Sequence, residues 1–415
     1  MSLNSTPSSH RIHIGFFGRT NVGKSSLVNA ITSQSLSIVS PEKGTTTDPV
    51  QKAMELLPLG PVVIIDTPGL EDDSILGKMR EQRAKDVFHS IDIGVLVLDA
   101  SNIETLHPSE QSILEEFQNR QIPFLICINK QDVLPKKQEI PILSADSPLF
   151  SYREQLLWVS AHSGLGISQC KERLAHLAPN ALEEHFFIRD FLKPLDSAIL
   201  VIPIDSGAPR GRIILPQQQV LRELLEGGII TTVVRETELQ EAIQKTNPKI
   251  VITDSQAFHL VAPIVPKEVF LTSFSILMAR YKGTLAQAVA GAYRIEQLSS
   301  GARILISEGC THHRQCDDIG TVKLPRWIQE YTGKEFHFEW ISGRDFPADL
   351  SSFQLIVHCG GCMLNDKEMQ YRYEQALHSG ISITNYGILI AHLRGILDRS
   401  IEILKPSLED REKTL

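Results

Sequence analysis

Between residue 11 and about residue 175, short apolar runs alternate with longer stretches in which apolar residues recur at three- and four-residue intervals. The runs are RIHIGFFG, VVIID, IGVLVLD, PFLICIN and LLWVS. Each has the length and composition of a strand buried on both faces, and the intervening pattern predicts helices, including one from Ser25 and one near Ile167 to Ala175. This rhythm predicts an α/β fold with a doubly wound sheet, whose functional loops lie at the carboxyl ends of the strands.

The rhythm breaks at APNALEEHFFIRDFLKP and then resumes. SAILVIPID, GIITTVVRE and KIVITD read as strands, separated by helices near Pro216 to Glu226 and Glu236 to Lys245. They define a second, smaller α/β domain with neither a phosphate loop nor a metal spacing, which suits a packing or oligomerisation module. A helical stretch from SFSILMARYKG through AYRIEQL leads to a third unit with strands ARILISE, FHFEWIS, FQLIVH and ISITN, again in a pattern that suggests a mainly parallel sheet. The expected domains are residues 1–178, 184–272 and 273–415. Cys310 follows the first strand of the third unit and Cys359 the third, so a parallel sheet would bring both to one edge. The terminal PSLEDREKTL reads as a solvated tail.

With 415 residues, the chain is too long for a single compact core. A net charge of -8 and a pI of about 6.0 argue against a nucleic-acid partner. The start, MSLNSTPSSHR, has no apolar secretory core, and no apolar run approaches the roughly 18 residues needed to cross a bilayer. The expectation is a cytoplasmic protein with no membrane partner. Six cysteines in such a chain read as ligands, reactive thiols or core residues rather than as a disulfide framework.

Candidate chemistry falls in two places. Gly18, Gly23, Lys24 and Ser25 satisfy G-x-x-x-x-G-K-S between a predicted strand and a predicted helix. In such a loop the backbone N–H groups, here with Asn21, Val22 and Ser26, turn towards phosphates, the lysine reaches the β and γ phosphates, and the serine hydroxyl meets magnesium. Asp66-Thr67-Pro68-Gly69 follows VVIID; the carboxylate of Asp66 can hold the hydration shell of magnesium and the Gly69 N–H can sense the γ-phosphate. Asn129-Lys130-Gln131-Asp132 follows PFLICIN, and a carboxylate at Asp132 can accept both N–H donors of a guanine edge. Ser160-Ala161 completes the base pocket. Four motifs in order on successive strand ends predict a GTP- and GDP-binding GTPase.

On these residues the first 175 positions resemble the TrmE-Era-like branch of translation-factor-class GTPases. Gly44-Thr45-Thr46-Thr47-Asp48 fits that branch's switch I, which implies that Thr46 coordinates magnesium with Ser25. Leu70 stands where Ras-like enzymes carry a catalytic glutamine, and leucine cannot orient water. The resemblance implies instead that Asn21 helps bind potassium near the transferring phosphoryl group, with Asn21, Lys24 and Thr46 as the catalytic set. It implies a slow, potassium-stimulated, switch-like hydrolase.

The second place is Cys310-Thr311-His312, followed by His358-Cys359-Gly360-Gly361-Cys362. Thiolates bind zinc or iron-sulfur clusters, and glycines between paired cysteines let both sulfurs face one centre. The pattern leaves two chemistries open: a closed structural zinc site, or a 4Fe-4S cluster on Cys310, Cys359 and Cys362 with one iron open to an exchangeable ligand. His312 and His358 are open to two roles, ligand or hydrogen-bond donor behind the ligands. Cys316 could close a four-cysteine site, while His313, Asp317 and Asp318 read as weak ligands or a polar loop. Cys127 and Cys170 read as core residues.

The combination of such a GTPase with CxH and HCxxC is similar to the HydF family, the maturation GTPases of FeFe-hydrogenase. That resemblance implies a central dimerisation domain and a C-terminal cluster domain, a homodimer, and a scaffold that holds a di-iron precursor. Its implied partners are two radical-SAM maturases and the apo-hydrogenase to which the precursor is delivered. A ribosome-assembly or RNA-modification GTPase with a structural zinc site is the rival reading. A GTPase-coupled ferrous-iron channel would need membrane helices, which this sequence does not show.

Overall fold

The computed structural model describes residues 7–32, 50–69, 86–103, 105–134, 147–178, 185–204, 213–309, 318–343, 346–406 and 408. The chain divides into two compact units, Met1–Leu182 and Glu183–Leu415.

In the first unit the described strands are β1 (Ile12–Phe17), β2 (Val50–Leu56), β3 (Gly60–Asp66), β4 (Ile93–Asp99), β5 (Phe124–Asn129) and β6 (Leu156–Trp158). They form one sheet in the order β2-β3-β1-β4-β5-β6. Every pairing is parallel except that of β2 with β3, so the sheet is mixed rather than purely parallel. The sequence pattern predicts no strand at residues 50–56. VQKAMEL alternates half-buried and exposed positions up to Leu56, the signature of an edge strand with one face in water.

The interior strands are apolar runs because both faces are covered. Ile14, Phe16, Ile64, Val95, Val97 and Cys127 face one core with Leu27, Val28 and Ile31 of the helix Lys24–Thr32. Phe17, Val63, Ile65, Leu96, Leu98 and Ile126 face the other with Phe88 and Phe117. Burying each such side chain contributes roughly 1.5–3 kcal/mol. Phe17 stacks on Phe88 at 4.5 Å and meets Phe117 edge-on at 5.5 Å. Cys127 and Cys170 belong to the first of these cores, their sulfurs 3.8 Å apart and fully buried.

The second unit holds two four-stranded sheets, both parallel throughout. One contains β7 (Ser197–Val201), β8 (Ile230–Val234), β9 (Ile250–Thr253) and β10 (Phe270–Ser273), in the order β10-β9-β7-β8. The other contains β11 (Arg303–Glu308), β12 (His337–Ser342), β13 (Leu355–His358) and β14 (Ser382–Asn385), in the order β12-β11-β13-β14. A single core runs from Phe187 to Leu404 through both sheets. The helices Phe274–Tyr281 and Leu285–Tyr293 knit them together. Asn385 Nδ2 donates to Ser275 O at 3.2 Å and Thr384 Oγ1 to Ala288 O at 2.7 Å, while a Cβ on Gly291 would stand 2.1 Å from Ile383 O. Among the described residues, no helix is long and apolar enough to cross a membrane.

Candidate functional site

Two sets of residues at the carboxyl edges of parallel strands have site-like geometry, one in each unit. In the first, the chain leaves β1 and turns into the helix Lys24–Thr32 through a loop with Gly18 at φ 143°, Asn21 at φ 65° and Gly23 at φ 90°. A Cβ on Gly18 would stand 2.4 Å from Val97 O, and one on Gly23 2.4 Å from Asn129 Nδ2. Both positions therefore need glycine on steric as well as conformational grounds. Asn21 and Ser26 are exposed and Val22 is buried beneath the loop.

Lys24 is 8% exposed, and its Nζ donates to Gly18 O at 2.9 Å and Arg19 O at 2.7 Å. Burial lowers its pKa to about 8 against the attraction of Asp66. Ser25 Oγ donates to Asp66 Oδ2 at 2.6 Å. Burial raises the Asp66 pKa, opposed by that hydrogen bond and by Lys24. Asp66 Oδ1 is buried without a protein partner, so a hydroxyl and an unsatisfied carboxylate oxygen stand together. This donor set suits a hydrated magnesium ion. Gly69 packs against the loop, where a Cβ would meet Thr20 Oγ1 at 2.4 Å.

The base side is assembled by Asn129, which is 2% exposed. Its Nδ2 donates to Val22 O at 3.0 Å and its Oδ1 accepts from Ala161 N at 3.0 Å, joining three of the motifs. Asp132 Oδ1 accepts from Ser160 Oγ at 2.5 Å, and that hydroxyl accepts from Ser163 N at 3.0 Å. Lys130 adopts φ 66° and its Nζ meets Asp99 Oδ2 at 2.6 Å. The sequence patterns did not single out Asp99 or Thr20. Thr46 and Leu70 lie outside the described residues.

In the second unit, β11 and β13 are neighbours, with Ser307 in register with His358. Cys359 N donates to Ser307 O at 2.8 Å, and the Cys359 sulfur receives the N–H groups of Gly309 at 3.0 Å and Gly361 at 3.4 Å. The residue preceding Cys310 therefore touches Cys359. Cys310, His312, His313, Cys316 and Asp317 lie outside the described residues, and among the described residues no group of three or more metal-binding side chains is assembled. Asp318 caps a helical turn, its Oδ2 accepting from Thr321 N at 2.9 Å.

Gly361 adopts φ 60° and its missing Cβ makes room for the Met369 sulfur, whereas a Cβ on Gly360 would meet nothing within 4 Å. The loop is thus tight on its inner side and open at Gly360. Burial raises the pKa of both thiols, that of Cys362 to about 11. Two free thiols, with backbone N–H groups already directed at one sulfur, form a donor set suited to a soft metal centre.

Behind the loop lies a buried ionic network. Arg372 has no exposed surface; its guanidinium donates to Glu368 Oε1 at 3.1 and 3.0 Å, to Gly343 O at 3.0 Å and to His358 Nε2 at 3.0 Å. His358 Nδ1 stands 2.7 Å from Cys359 O. Burial, with Arg372 adding to it, lowers the His358 pKa to about 3. The ring is neutral, with Nδ1–H donating to the carbonyl and Nε2 accepting from arginine. Both nitrogens are engaged, so in this arrangement His358 braces Cys359 from behind instead of presenting a lone pair. Glu368 and Arg372 stand four apart in EMQYR, which in sequence reads as an ordinary pair on a solvated helix face.

Comparison with known families finds three matching segments. Residues 13–130 match the family model of the 50S ribosome-binding GTPase, residues 187–283 the hydrogen maturase F dimerization domain, and residues 286–403 the hydrogen maturase F tetramerization domain. Among curated proteins, GTPase Era of Syntrophus aciditrophicus is 33% identical over 167 residues, covering 40% of this chain and 53% of that protein. The tRNA modification GTPase MnmE of Clostridioides difficile is 32% identical over 158 residues, covering 38% of this chain and 32% of that protein. The chain thus spans about half the length of the first relative and about a third of the second. Among solved structures, an Era variant of Aquifex aeolicus bound to GDP.AlF4- has a TM-score of 0.35 and 18% identity, covering 56% of this chain and 97% of that one. A GTPase domain related to Era and MnmE implies GTP hydrolysis and use of GTP and GDP. The two downstream descriptions imply self-association.

Proposed function

The chain belongs to the HydF hydrogenase maturase family, and from that premise we propose that it is a GTP-switched scaffold that carries a 4Fe-4S cluster and a di-iron precursor for FeFe-hydrogenase. The observation that carries the reading is the Cys359 loop. Gly309 and Gly361 direct N–H groups at the Cys359 sulfur, and Gly309, the residue just beyond β11, immediately precedes Cys310 in the chain. Cys310, Cys359 and Cys362 are the proposed ligands and His358 a brace for Cys359. His312 remains a candidate ligand, as does Cys316, which would remove the open position. A cluster bound there would supply an iron at which the precursor docks. The proposed domain roles are GTP binding for residues 1–178, dimerisation for 184–272 and cluster binding for 273–415.

In the nucleotide site, Lys24 exchanges the Gly18 and Arg19 carbonyls for the β and γ phosphates. Ser25, Thr46 and Asp66 serve magnesium, Gly69 senses the γ-phosphate, and Asp132 reads guanine in a pocket braced by Asn129, Lys130, Ser160 and Ala161. Asn21, exposed on the loop, helps hold potassium beside the transferring phosphoryl group in this reading. Hydrolysis is slow and serves to change affinity for the two radical-SAM maturases and the apo-hydrogenase. By linkage those partners alter nucleotide affinity in return. The rival reading, an RNA-linked GTPase with structural zinc, draws on the first 130 residues and sits poorly with a net charge of -8.

Anaerobic reconstitution with iron and sulfide, followed by EPR of the reduced protein, tests the reading. A 4Fe-4S signal in wild type that is lost on Cys310→Ser, Cys359→Ser and Cys362→Ser but survives Cys316→Ser is expected. A colourless protein holding stoichiometric zinc, with hydrolysis stimulated by RNA, would establish the rival.

A further inference from the structure

Lys282 follows the helix Phe274–Tyr281, far in sequence from the cysteine loop, yet it reaches that loop. It is 2% exposed; its Nζ donates to Leu364 O, two residues beyond Cys362, at 2.6 Å and to Asp366 Oδ1 at 3.4 Å. A buried ammonium is costly unless an anion compensates it. Arg372 has its compensation in Glu368, which is nearly as buried as itself. Lys282 does not have an equal match, because the Asp366 side chain is 37% exposed and 3.4 Å away. Burial lowers the Lys282 pKa, opposed first by Asp366 and then by Cys362 and Cys359, which carry negative charge only as thiolates, the form in which a metal holds them. The lysine thus places a cationic group, only partly balanced, against the backbone two residues beyond Cys362.

We propose that Lys282 is a positioning residue for the metal site, holding the Leu364 end of the cysteine loop and setting the reduction potential of the cluster through its fixed positive charge. The inference rests on the cluster reading above. Reduction potentials of such clusters depend on net charge nearby and on hydrogen bonds to the sulfurs. Adding one electron makes a cluster more anionic, so a neighbouring cation favours the reduced state. Asp366, which carries the opposite charge 3.4 Å from the ammonium, works in the opposite sense. The residue comes from the segment matching the dimerization domain, whereas the sulfurs lie in the segment matching the tetramerization domain. The two segments therefore share one site.

The test uses full-length wild type, Lys282→Met and Asp366→Asn, each reconstituted anaerobically and titrated with dithionite while the reduced cluster is followed by EPR. Lys282→Met should lower the reduced-to-oxidised ratio at the wild-type midpoint about tenfold, equivalent to about 59 mV more negative for a one-electron couple. Asp366→Asn should shift the midpoint the other way, and denaturation of the cluster-free proteins should show no matching pair of opposite shifts. Unchanged midpoints in both variants with cluster content intact, or shifts of the same sign, would overturn the proposal. If Lys282→Met cannot retain a cluster, Asp366→Asn decides. Wild type that binds no cluster is a separate outcome, which removes the cluster reading and this inference together.

Discussion

The nucleotide pocket and the cysteine loop occupy the same place on their sheets but are supported in different ways. On the base side of the phosphate loop the framework is built of amide and hydroxyl hydrogen bonds: the Asn129 amide joins the Val22 carbonyl to the Ala161 N–H, and Ser160 steadies Asp132. Its ion pair of Lys130 with Asp99 stands partly in water, the lysine side chain 36% exposed. Behind Cys359 the support is charged and dry, with Arg372 wholly buried against Glu368 and His358. Each unit has a histidine that meets an arginine: His89 Nδ1 lies 2.8 Å from Arg120 Nη1, and His358 Nε2 lies 3.0 Å from Arg372 Nη1. The first pair is partly exposed and the second buried. In the nucleotide site the buried Lys24 and the buried Oδ1 of Asp66 face the place a phosphate and its metal would fill, and the bracing ion pair behind the base side stays near water. The loop that must hold two sulfurs in fixed places is instead braced by interactions that solvent cannot compete for.

The sharpest way to break this contrast is to disable each site separately. Lys24→Ala should reduce GTP turnover by at least on the order of 10²–10³-fold while iron content after reconstitution stays at the wild-type level. Cys359→Ser should do the reverse, and loss of both functions in either variant would show the sites to be inseparable. Next in size is the brace itself. Arg372→Met leaves Glu368 buried and unpaired and should cost about 3–5 kcal/mol in denaturant unfolding, whereas Lys130→Met, at a partly exposed pair, should cost about 0–1 kcal/mol. Equal losses would erase the distinction between the two regions.

A smaller effect separates neighbouring glycines of the cysteine loop. Gly361→Ala forces a left-handed residue against the Met369 sulfur and should cost about 1–2 kcal/mol from conformation alone. Gly360→Ala, with open space around it, should stay within about 0.5 kcal/mol of wild type. Smallest is a pH effect in the first unit. Burial, then Arg120, lowers the His89 pKa to about 4 from 6.5. The unfolded chain takes up this proton first, so the contribution is complete above about pH 6.5 and is lost progressively as the pH falls towards 4. The drop in unfolding midpoint between pH 7.5 and pH 5.5 should be smaller in His89→Gln than in wild type, by an amount reduced because the ring is partly exposed.

Much of the architecture is legible along the chain because a strand buried on both faces needs an uninterrupted apolar run. The interior strands β1, β3, β4 and β5 announce themselves this way, as do β7, β9, β11 and β13. The edge strand β2 and the short β10 do not: Val50–Leu56 is half in water, and Phe270–Ser273 is too short to outweigh the helical pattern that follows it. The phosphate-loop, Asp66 and Asn129 motifs are contiguous because each is a single turn at a strand end, and backbone geometry fixes which residue types can stand there. The parallel pattern of the third sheet also placed the residues after β11 and β13 at one edge, and the Gly309 N–H on the Cys359 sulfur has that placement.

The sequence by itself determined the α/β class, the nucleotide motifs and the pairing of a cysteine-histidine loop with them, since each depends on residues adjacent in the chain. Only the tertiary structure decided what stands behind that loop. Lys282 in RYKG reads as a basic residue at a helix end, and Arg372 as one half of a surface pair, because burial is a property of packing and leaves no mark on local spacing. Once the helices have docked, both cations lie out of water against residues that flank the two cysteines, where a lower dielectric gives their charge an influence it would not have at the surface.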